Sequence, residues 1–147
     1  MVLFSHASRR PVMSISSASS LGTVAGFVVD AKRSRVVALR LSGSDDVVDW
    51  ERIEGFGPDA VTVADDNVPG EQHGRVQALS GEQFALMNKR VLDDGGNEAG
   101  IVQDVDFDAD TGRVTALITS TGSIDGDRLL GSGSYAVVVR AAAQQAG

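Results

Sequence analysis

Cysteine is missing from this 147-residue chain, and aromatic residues make up only 5% of it. Without cysteine there is no disulfide framework, no thiolate metal site and no cysteine nucleophile. A chain of this length nevertheless buries about 68–70% of its unfolded surface, so a stable core needs no covalent crosslinks. The sequence therefore predicts one globular body, or two small ones, held together by packing alone.

Long hydrophobic runs are also missing. The longest, Val24–Val29 and Tyr135–Val139, fall far short of the roughly 20 apolar residues that span a bilayer. Twenty acidic residues against 13 basic residues give a net charge of −7. This balance argues against nucleic-acid binding as the main activity, because displacing counterions from phosphate requires a basic surface. We expect a cytoplasmic protein with no transmembrane segment and no direct DNA binding.

The chain contains an internal repeat. Leu21–Leu41 aligns without gaps on Ala99–Thr119, an offset of 78 residues, with eight identities in 21 positions. The identical pairs are Gly22 and Gly100, Val24 and Val102, Asp30 and Asp108, Ala31 and Ala109, Arg35 and Arg113, Val36 and Val114, Ala38 and Ala116, and Leu39 and Leu117. Self-similarity at a constant offset indicates two copies of one structural unit.

The similarity resumes at an offset of 76. Arg52–Gly57 aligns with Arg128–Gly133, and Ala60–Val63 aligns with Ala136–Val139. Order and spacing agree in both halves, which supports a duplicated unit over most of the chain.

The repeat defines the domain organisation that we predict. The first module covers residues 12–66 and the second covers residues 84–140. Residues 67–83 form a linker, and Ser80-Gly-Glu-Gln83 within it has the spacing of a helix capping box. A short helix or turn is therefore expected in the linker region.

Alternating apolar and polar residues predict a strand in the second module. Over Ile101–Asp108 the alternation has a period of two, which is typical of a half-buried strand. Ile101, Val105 and Phe107 would face inward in this strand. The aspartates between them would face solvent.

A hairpin follows this strand. Asp108–Arg113 predicts the hairpin loop, where Gly112 supplies the positive φ that such a turn requires. Val114–Thr119 is rich in β-branched residues and predicts the return strand. The first module repeats the pattern with Ser34 in place of the glycine, which predicts a looser turn.

The fold class that follows is all-β. About five short strands in each module are too few for an open sandwich, and closure into a small barrel is the simplest way to remove exposed sheet edges. We predict two tandem small barrels related by the internal repeat.

The hairpin residues also carry a family resemblance. The spacing Gly-x-Val-x-Asp-x-x-x-Asp-x-x-Thr-Gly-x-Val-x-x-Leu, from Gly100 to Leu117, resembles the PRC-barrel, and so does Trp50–Val61 of the first module. This family is named from the cytoplasmic domain of the photosynthetic reaction-centre H subunit and includes the C-terminal domain of RimM-type ribosome maturation factors. The resemblance implies two tandem PRC-type barrels that act as an interaction or adaptor module.

An acidic face is predicted on the second hairpin, formed by Asp104, Asp106, Asp108 and Asp110. Alternate carboxylates on a strand lie roughly 7 Å apart, and hard cations prefer oxygen ligands. The spacing fails the EF-hand pattern, because Thr111 stands where that loop needs glycine. We favour a solvated strand face and predict no metal site.

An apolar strand face in the first module is a candidate interface. Val24, Gly26 and Val28 stand where the second module has Val102, Asp104 and Asp106, and such a face is normally covered in a soluble protein. Either the other module, the linker or a second subunit covers Val24 and Val28, or coiling of the strand turns them into their own core.

A basic loop is the second part of this candidate interface. Lys32, Arg33 and Arg35 form it, opposite in sign to the acidic hairpin of the second module. The loop either contacts a partner, such as the acidic hairpin of a neighbouring chain or phosphate, or forms a solvated charged surface.

No catalytic or cofactor site is predicted. Gly131–Ala136 fits the G-x-G-x-x-A nucleotide pattern, but the valines after it predict a strand instead of the helix that a pyrophosphate needs. His6 and His73 lie outside the repeated positions, so a Ser-His-Asp arrangement is not indicated. We therefore expect no enzymatic activity and no cofactor.

These observations predict a non-catalytic protein-interaction or adaptor module. Its protein partner is not identified by the sequence, and a second copy of the chain, giving a homodimer, is one candidate. The alternative is an RNA- or ribosome-associated factor that acts through protein binding.

Overall fold

The structure is a computed structural model that describes residues 2–81 and 85–141. Over these residues the chain is all-β, with one sheet of six strands and one of seven. The chain opens with a short strand, β1 (Val2–Leu3), and a single helical turn, α1 (Phe4–Ala7).

The first sheet contains the first module. Its strands are β2 (Pro11–Ser14), β3 (Ser20–Asp30), β4 (Arg35–Leu41), β5 (Val47–Asp49), β6 (Ile53–Phe56) and β7 (Val61–Val63). Their order in the sheet is β5-β4-β3-β2-β7-β6. All pairings are antiparallel except that of β2 with β7.

The second sheet repeats this arrangement. Its strands are β8 (Arg90–Asp93), β9 (Glu98–Phe107), β10 (Val114–Thr119), β11 (Gly122–Asp125), β12 (Leu129–Ser132) and β13 (Val137–Val139). The order β11-β10-β9-β8-β13-β12 matches the first sheet strand for strand, with β13 and β8 as its parallel pair. β1 pairs with the end of β9 and makes the seventh strand. The all-β class with two β-rich units is thus confirmed.

Short 3₁₀ turns complete each unit. Trp50–Arg52 joins β5 to β6, and Gly126–Arg128 joins β11 to β12 at the equivalent position. These are the end strands of each sheet, so a three-residue connection brings both ends of the sheet close together and requires the sheet to curl. A third 3₁₀ turn, Ala31–Arg33, lies in the β3–β4 hairpin.

Within residues 67–81, the linker contains one short helix, α2 (Gly74–Leu79). It ends before Ser80, where the capping-box pattern begins. Glu82, Gln83 and Phe84, which that pattern places at the start of a helix, lie outside the described residues. Within the described part of the chain, no helix combines the length and the apolar character needed to cross a membrane.

A β-bulge changes which residues of β9 face inward. Val102 pairs with Thr119, and Asp104 pairs with Ile118. Between these two pairs β9 has one residue more than β10. The extra residue, Gln103, shifts the alternation by one. The predicted inward set is therefore wrong at Ile101, which is 48% exposed, while Val102 is fully buried.

Both hairpin turns end at a residue with a positive φ. Gly112 has a φ of 79°, which confirms the predicted positive value, and Ser34 has a φ of 53°. The expectation of a looser first turn was wrong, because the serine adopts the left-handed conformation and its side chain is anchored, as described below.

One hydrophobic core joins the two modules. Val29, Ala31 and Val36 of the first module belong to the same buried cluster as the inward residues of β9, β10 and β13. At its centre is Phe107, with a relative exposure of 0%. Its ring lies 5.3 to 5.9 Å from the rings of the residues around it: Phe4, Phe27, Trp50 and Phe56.

The five rings of this cluster come from both modules and from α1. Phe27, Trp50 and Phe56 come from the first module, Phe107 comes from the second, and Phe4 comes from α1. Aromatic contacts of this kind stabilise beyond the area they bury. The two modules therefore share a core.

Candidate functional site

The two modules meet through their equivalent hairpins. The N–H of Val36 donates to the carbonyl of Gly112 at 2.7 Å, and the N–H of Val114 donates to the carbonyl of Ser34 at 2.7 Å. Between these bonds Arg35 faces Arg113 in an antiparallel bridge. Because Arg35 and Arg113 are equivalent in the repeat, the junction has a local two-fold axis through this pair.

The 3₁₀ turns pack against the junction in two different ways. The Ser34 hydroxyl donates to the carbonyl of Gly126 at 2.7 Å. At the equivalent place, a Cβ added to Gly112 would lie 3.0 Å from the Trp50 ring. A Cβ added to Gly126 would lie 2.0 Å from the carbonyl oxygen of Val114, so this position requires glycine.

These junction residues are the contact positions that sequence reasoning missed. Trp50 aligns with Gly126, and Ser34 aligns with Gly112, so each module contributes one member of each contact. In one contact Ser34 lies against Gly126, and in the other Trp50 lies against Gly112. The sequence signal that could have identified these contacts is the size difference at both aligned positions, where one module has glycine and the other has a larger residue.

A cleft of about 420 Å³ opens beside the junction, where the first hairpin, α2 and β12 approach one another. Its lining is mainly apolar. It is lined by Val29, Asp30, Ala31, Lys32, Ala78, Leu79, Gly131 and Ser132. We name it the junction cleft.

Lys89 lies on the second-module side of this region. Its ammonium donates to the carbonyl of Gly133 at 2.9 Å and approaches the Ser132 hydroxyl at 3.5 Å. Partial burial lowers the pKa of Lys89. These two contacts join Lys89 to the loop between β12 and β13.

The predicted apolar face divides between two environments. A bulge at Ala25, equivalent to the one at Gln103, places Val24 and Val28 on opposite sides of β3. Val24 is buried in the core of the first module. Val28 packs with Val76 of α2, so the linker helix covers it.

The predicted basic loop is exposed. Lys32, Arg33 and Arg35 all point to the surface. The Arg33 guanidinium lies 3.8 Å from the Asp30 carboxylate, which also accepts from the Arg33 N–H at 3.3 Å. The loop is thus held in shape by its own aspartate and lies across the junction from the acidic hairpin of the same chain.

The predicted acidic face is covered in part by the N-terminal segment. Asp104, Asp106 and Asp108 are half-buried, and Asp110 is exposed. The expected solvated face is thus only partly exposed, because β1 and α1 lie along β9, an arrangement that the repeat does not contain.

Asp104, Asp106 and Asp108 differ in the hydrogen bonds that their carboxylates make. The Asp104 carboxylate accepts from both the N–H and the hydroxyl of Ser5. Asp108 accepts from the N–H of Asp110 at 2.8 Å and shapes the hairpin loop. One oxygen of Asp106 is buried without a hydrogen-bond partner.

Metal-ligating clusters and paired histidines do not occur in the described ranges, 2–81 and 85–141. No group of three His, Asp or Glu side chains is placed to hold a metal ion there. His6 is exposed in α1, and His73 is exposed with its Nε2 3.6 Å from the Asp49 carboxylate. At that distance the histidine and aspartate are not hydrogen-bonded.

Two carboxylates in turns have lowered pKa values. The N–H groups of Asn97 and Gly95 donate to Asp93 at 3.0 and 2.9 Å, and the Asn97 bond is the main cause of the lower pKa of Asp93. Hydrogen bonds from the hydroxyls of Ser14 and Ser17 lower the pKa of Asp66. Both carboxylates serve turns next to the parallel strand pairs.

Comparison with known proteins bears on the second module. The PRC-barrel domain model matches residues 85–142. A comparison with curated proteins finds no match. The matched segment covers β8 to β13 and the hairpin whose spacing carries the resemblance. The second module of this chain is thus similar to the PRC-barrel domain.

Proposed function

We propose that this chain is a non-catalytic protein-interaction module built from two PRC-barrel copies, residues 12–66 and 84–140. The observation that carries the proposal is the PRC-barrel match over residues 85–142, together with an identical strand order in the first sheet. The PRC-barrel resemblance implies interaction or adaptor functions instead of chemistry.

The first copy is supported by its hydrogen-bond register. Its parallel pair aligns Val12 with Val61, and the parallel pair of the second module aligns Val91 with Val137. Both modules also have the same bulge in their longest strand. A shared order of six strands with a shared bulge supports one fold used twice.

The non-catalytic part of the proposal is supported by how polar side chains are used. Asp104 holds Ser5, Asp108 shapes a turn, and Ser34 bridges the two modules. The junction cleft brings together mostly aliphatic side chains. Catalytic sites instead place several polar groups around one reacting position.

Affinity capture tests the proposed function. The tagged full-length chain is incubated with lysate of the native cells at low and high salt, and a tagged unrelated acidic protein of similar size serves as the control. We expect a defined protein partner that remains bound at high salt. Ribosomal proteins released by salt would favour the ribosome-associated alternative, and no protein retained above the control would contradict the proposal.

The proposal also places the protein in the cytoplasm. Cell fractionation followed by immunoblotting tests this location, with recovery in the cytosolic fraction as the expected result. Recovery in the membrane or secreted fraction would contradict it.

A further inference from the structure

The first module closes one edge of its sheet with the linker. The N–H of Val47 in β5 donates to the carbonyl of Gly70 at 2.9 Å, and the N–H of Gly70 donates to the carbonyl of Val47 at 3.1 Å. This antiparallel bridge satisfies the outward main-chain groups of the end strand. The edge of β5 is therefore able to accept an extended segment.

At the equivalent edge of the second module, the described residues include no segment that covers β11. Val47 faces Arg40 in the first sheet, and Ser123 of β11 faces Ile118 at the same place in the second sheet. This equivalence directs the N–H and carbonyl of Ser123 away from β10. Ser123 is exposed, and across residues 2–81 and 85–141 no segment pairs with the outer side of β11.

The edge strand itself is firmly placed. Ile124 is 6% exposed and packs in the shared core. An unpaired edge on a fixed strand is a template for pairing with another chain. The end strands on the other side of each sheet, β6 and β12, differ from β11 because each lies beside the other module. Gly55 of β6 and Gly131 of β12 are each near the hairpin loop of the other module.

We propose that the outer edge of β11 binds an extended segment of a partner polypeptide, which adds an antiparallel strand at Ser123 as the linker does at Val47. This inference rests on the proposed interaction function and names the surface that would carry it. Strand addition of this kind obtains its affinity from main-chain hydrogen bonds and its specificity from alternate side chains.

The linker shows which side chains such a segment needs. Gly70 places no side chain at the paired position, and Val68, two residues earlier, is 6% exposed in the first core. The partner segment therefore has an apolar residue two positions before a small one.

The chain's own continuation is a poor match to this pattern. By the offset of 76, residues 140–146 correspond to residues 64–70, so Gln144 stands where the linker has the buried Val68. A glutamine cannot supply the apolar contact of a valine without burying its amide. This difference favours a segment from another polypeptide.

Amide hydrogen exchange measured by NMR tests the proposal on the full chain. The probe is a synthetic peptide with the sequence of residues 64–72, acetylated and amidated, and its matched control carries Val68→Asp. At a peptide concentration of about ten times its Kd, exchange at the Ser123 amide should slow about tenfold, because only the unbound form exchanges. The control peptide should leave that exchange unchanged.

Variants of the protein provide a second arm. Ser123→Pro removes the outward N–H, and proline is tolerated on edge strands where that group faces solvent. Ser123→Ala keeps the N–H and serves as the matched control. We expect the proline variant to lose the peptide-induced shifts of β11 and the alanine variant to keep them. The exchange measurement on the unsubstituted chain stands even if the proline variant fails to fold.

Three outcomes would overturn the proposal. The Ser123 amide could exchange slowly in the dilute protein without peptide, which would assign the edge to residues 142–147 of the same chain. Its protection could appear only at high protein concentration, which would assign the edge to a second copy. The peptide could instead shift amides of β5 and leave β11 unchanged.

Lysate capture separates this proposal from the one on which it rests. If wild type and Ser123→Pro retain the same partner equally, the β11 edge is not the docking surface, but the interaction function remains. If neither retains a partner, the interaction function itself is contradicted. Loss of the partner by the proline variant alone supports both.

Discussion

Phe107→Ala removes the ring on which the shared core is centred. A buried phenylalanine takes about 150–250 Å² out of water, which at about 25 cal/mol per Å² corresponds to about 4–6 kcal/mol. Substitutions of this type cost about 3–5 kcal/mol in other cores. Because Phe107 is fully buried and contacts four other rings, we expect a loss of about 4 kcal/mol in the free energy of unfolding.

The assay is thermal and urea unfolding followed by circular dichroism and by the fluorescence of Trp50, the chain's single tryptophan. For a chain of this size, 1 kcal/mol shifts the melting temperature by about 2–4 °C, so the variant should melt about 8–16 °C lower. The Trp50 ring lies 5.9 Å from Phe107 in the other module. Both probes should therefore report one coincident transition.

Phe107→Leu and Ile101→Ala are the matched controls. Leucine keeps most of the volume and loses the ring contacts, so we expect a cost of about 1–2 kcal/mol. Ile101 is on the same strand but 48% exposed, so its replacement should cost less than about 0.5 kcal/mol. A loss below about 1 kcal/mol for Phe107→Ala, or two transitions of which only one moves, would refute the shared core.

Four further outcomes follow from the junction, the linker and the β8–β9 turn. Gly126→Ala should cost about 1–3 kcal/mol in urea unfolding, because its Cβ would lie 2.0 Å from the Val114 carbonyl oxygen, and unchanged stability would refute the close contact. Ser34→Gly keeps the turn conformation but loses the hydroxyl bond to the other module, so thermal unfolding should show a cost of about 1 kcal/mol. Val28→Asp places a charge under α2 and should cost about 3 kcal/mol, with faster proteolysis in the linker; wild-type cleavage rates would contradict the packing. The pKa of Asp93 is lower in the folded chain than in the unfolded chain, so its stabilising contribution is present at neutral pH and is lost as pH falls below about 4. The stability difference between wild type and Asp93→Asn should therefore shrink over that range, and a constant difference would contradict the assignment.

The repeat was the feature of the sequence from which most of the fold could be predicted. Identities such as Arg35 with Arg113 and Val36 with Val114 placed the two hairpins at equivalent positions, and the structure pairs these residues with each other. The turn at Gly112 was also predictable, because its φ of 79° favours glycine.

The inward faces of the long strands could not be predicted from alternation. A single extra residue in β9, Gln103, reverses the alternation and exchanges Ile101 for Val102 in the core. A bulge depends on the register with the partner strand, which local periodicity does not contain. An extra residue at the equivalent position of β3, Ala25, places Val24 and Val28 on opposite sides of that strand.

Long-range contacts explain the remaining differences. The N-terminal segment covers the acidic strand through Ser5 and Asp104, which are 99 residues apart. The serine at the first turn gave no local sign of its bond to Gly126. Such contacts join positions whose sequence environments are independent, so neither propensity nor motif spacing reports them.

The pairing of Arg35 with Arg113 is the most direct test of two modules joined through equivalent hairpins. The hydrogen bonds on either side make this pair a non-hydrogen-bonded antiparallel pair, whose Cα atoms lie about 4.5 Å apart. We therefore predict a strong NMR cross-peak between the Hα protons of Arg35 and Arg113, with slow exchange of the Val36 and Val114 amides. Absence of that cross-peak, with both amides exchanging as fast as exposed ones, would contradict the account.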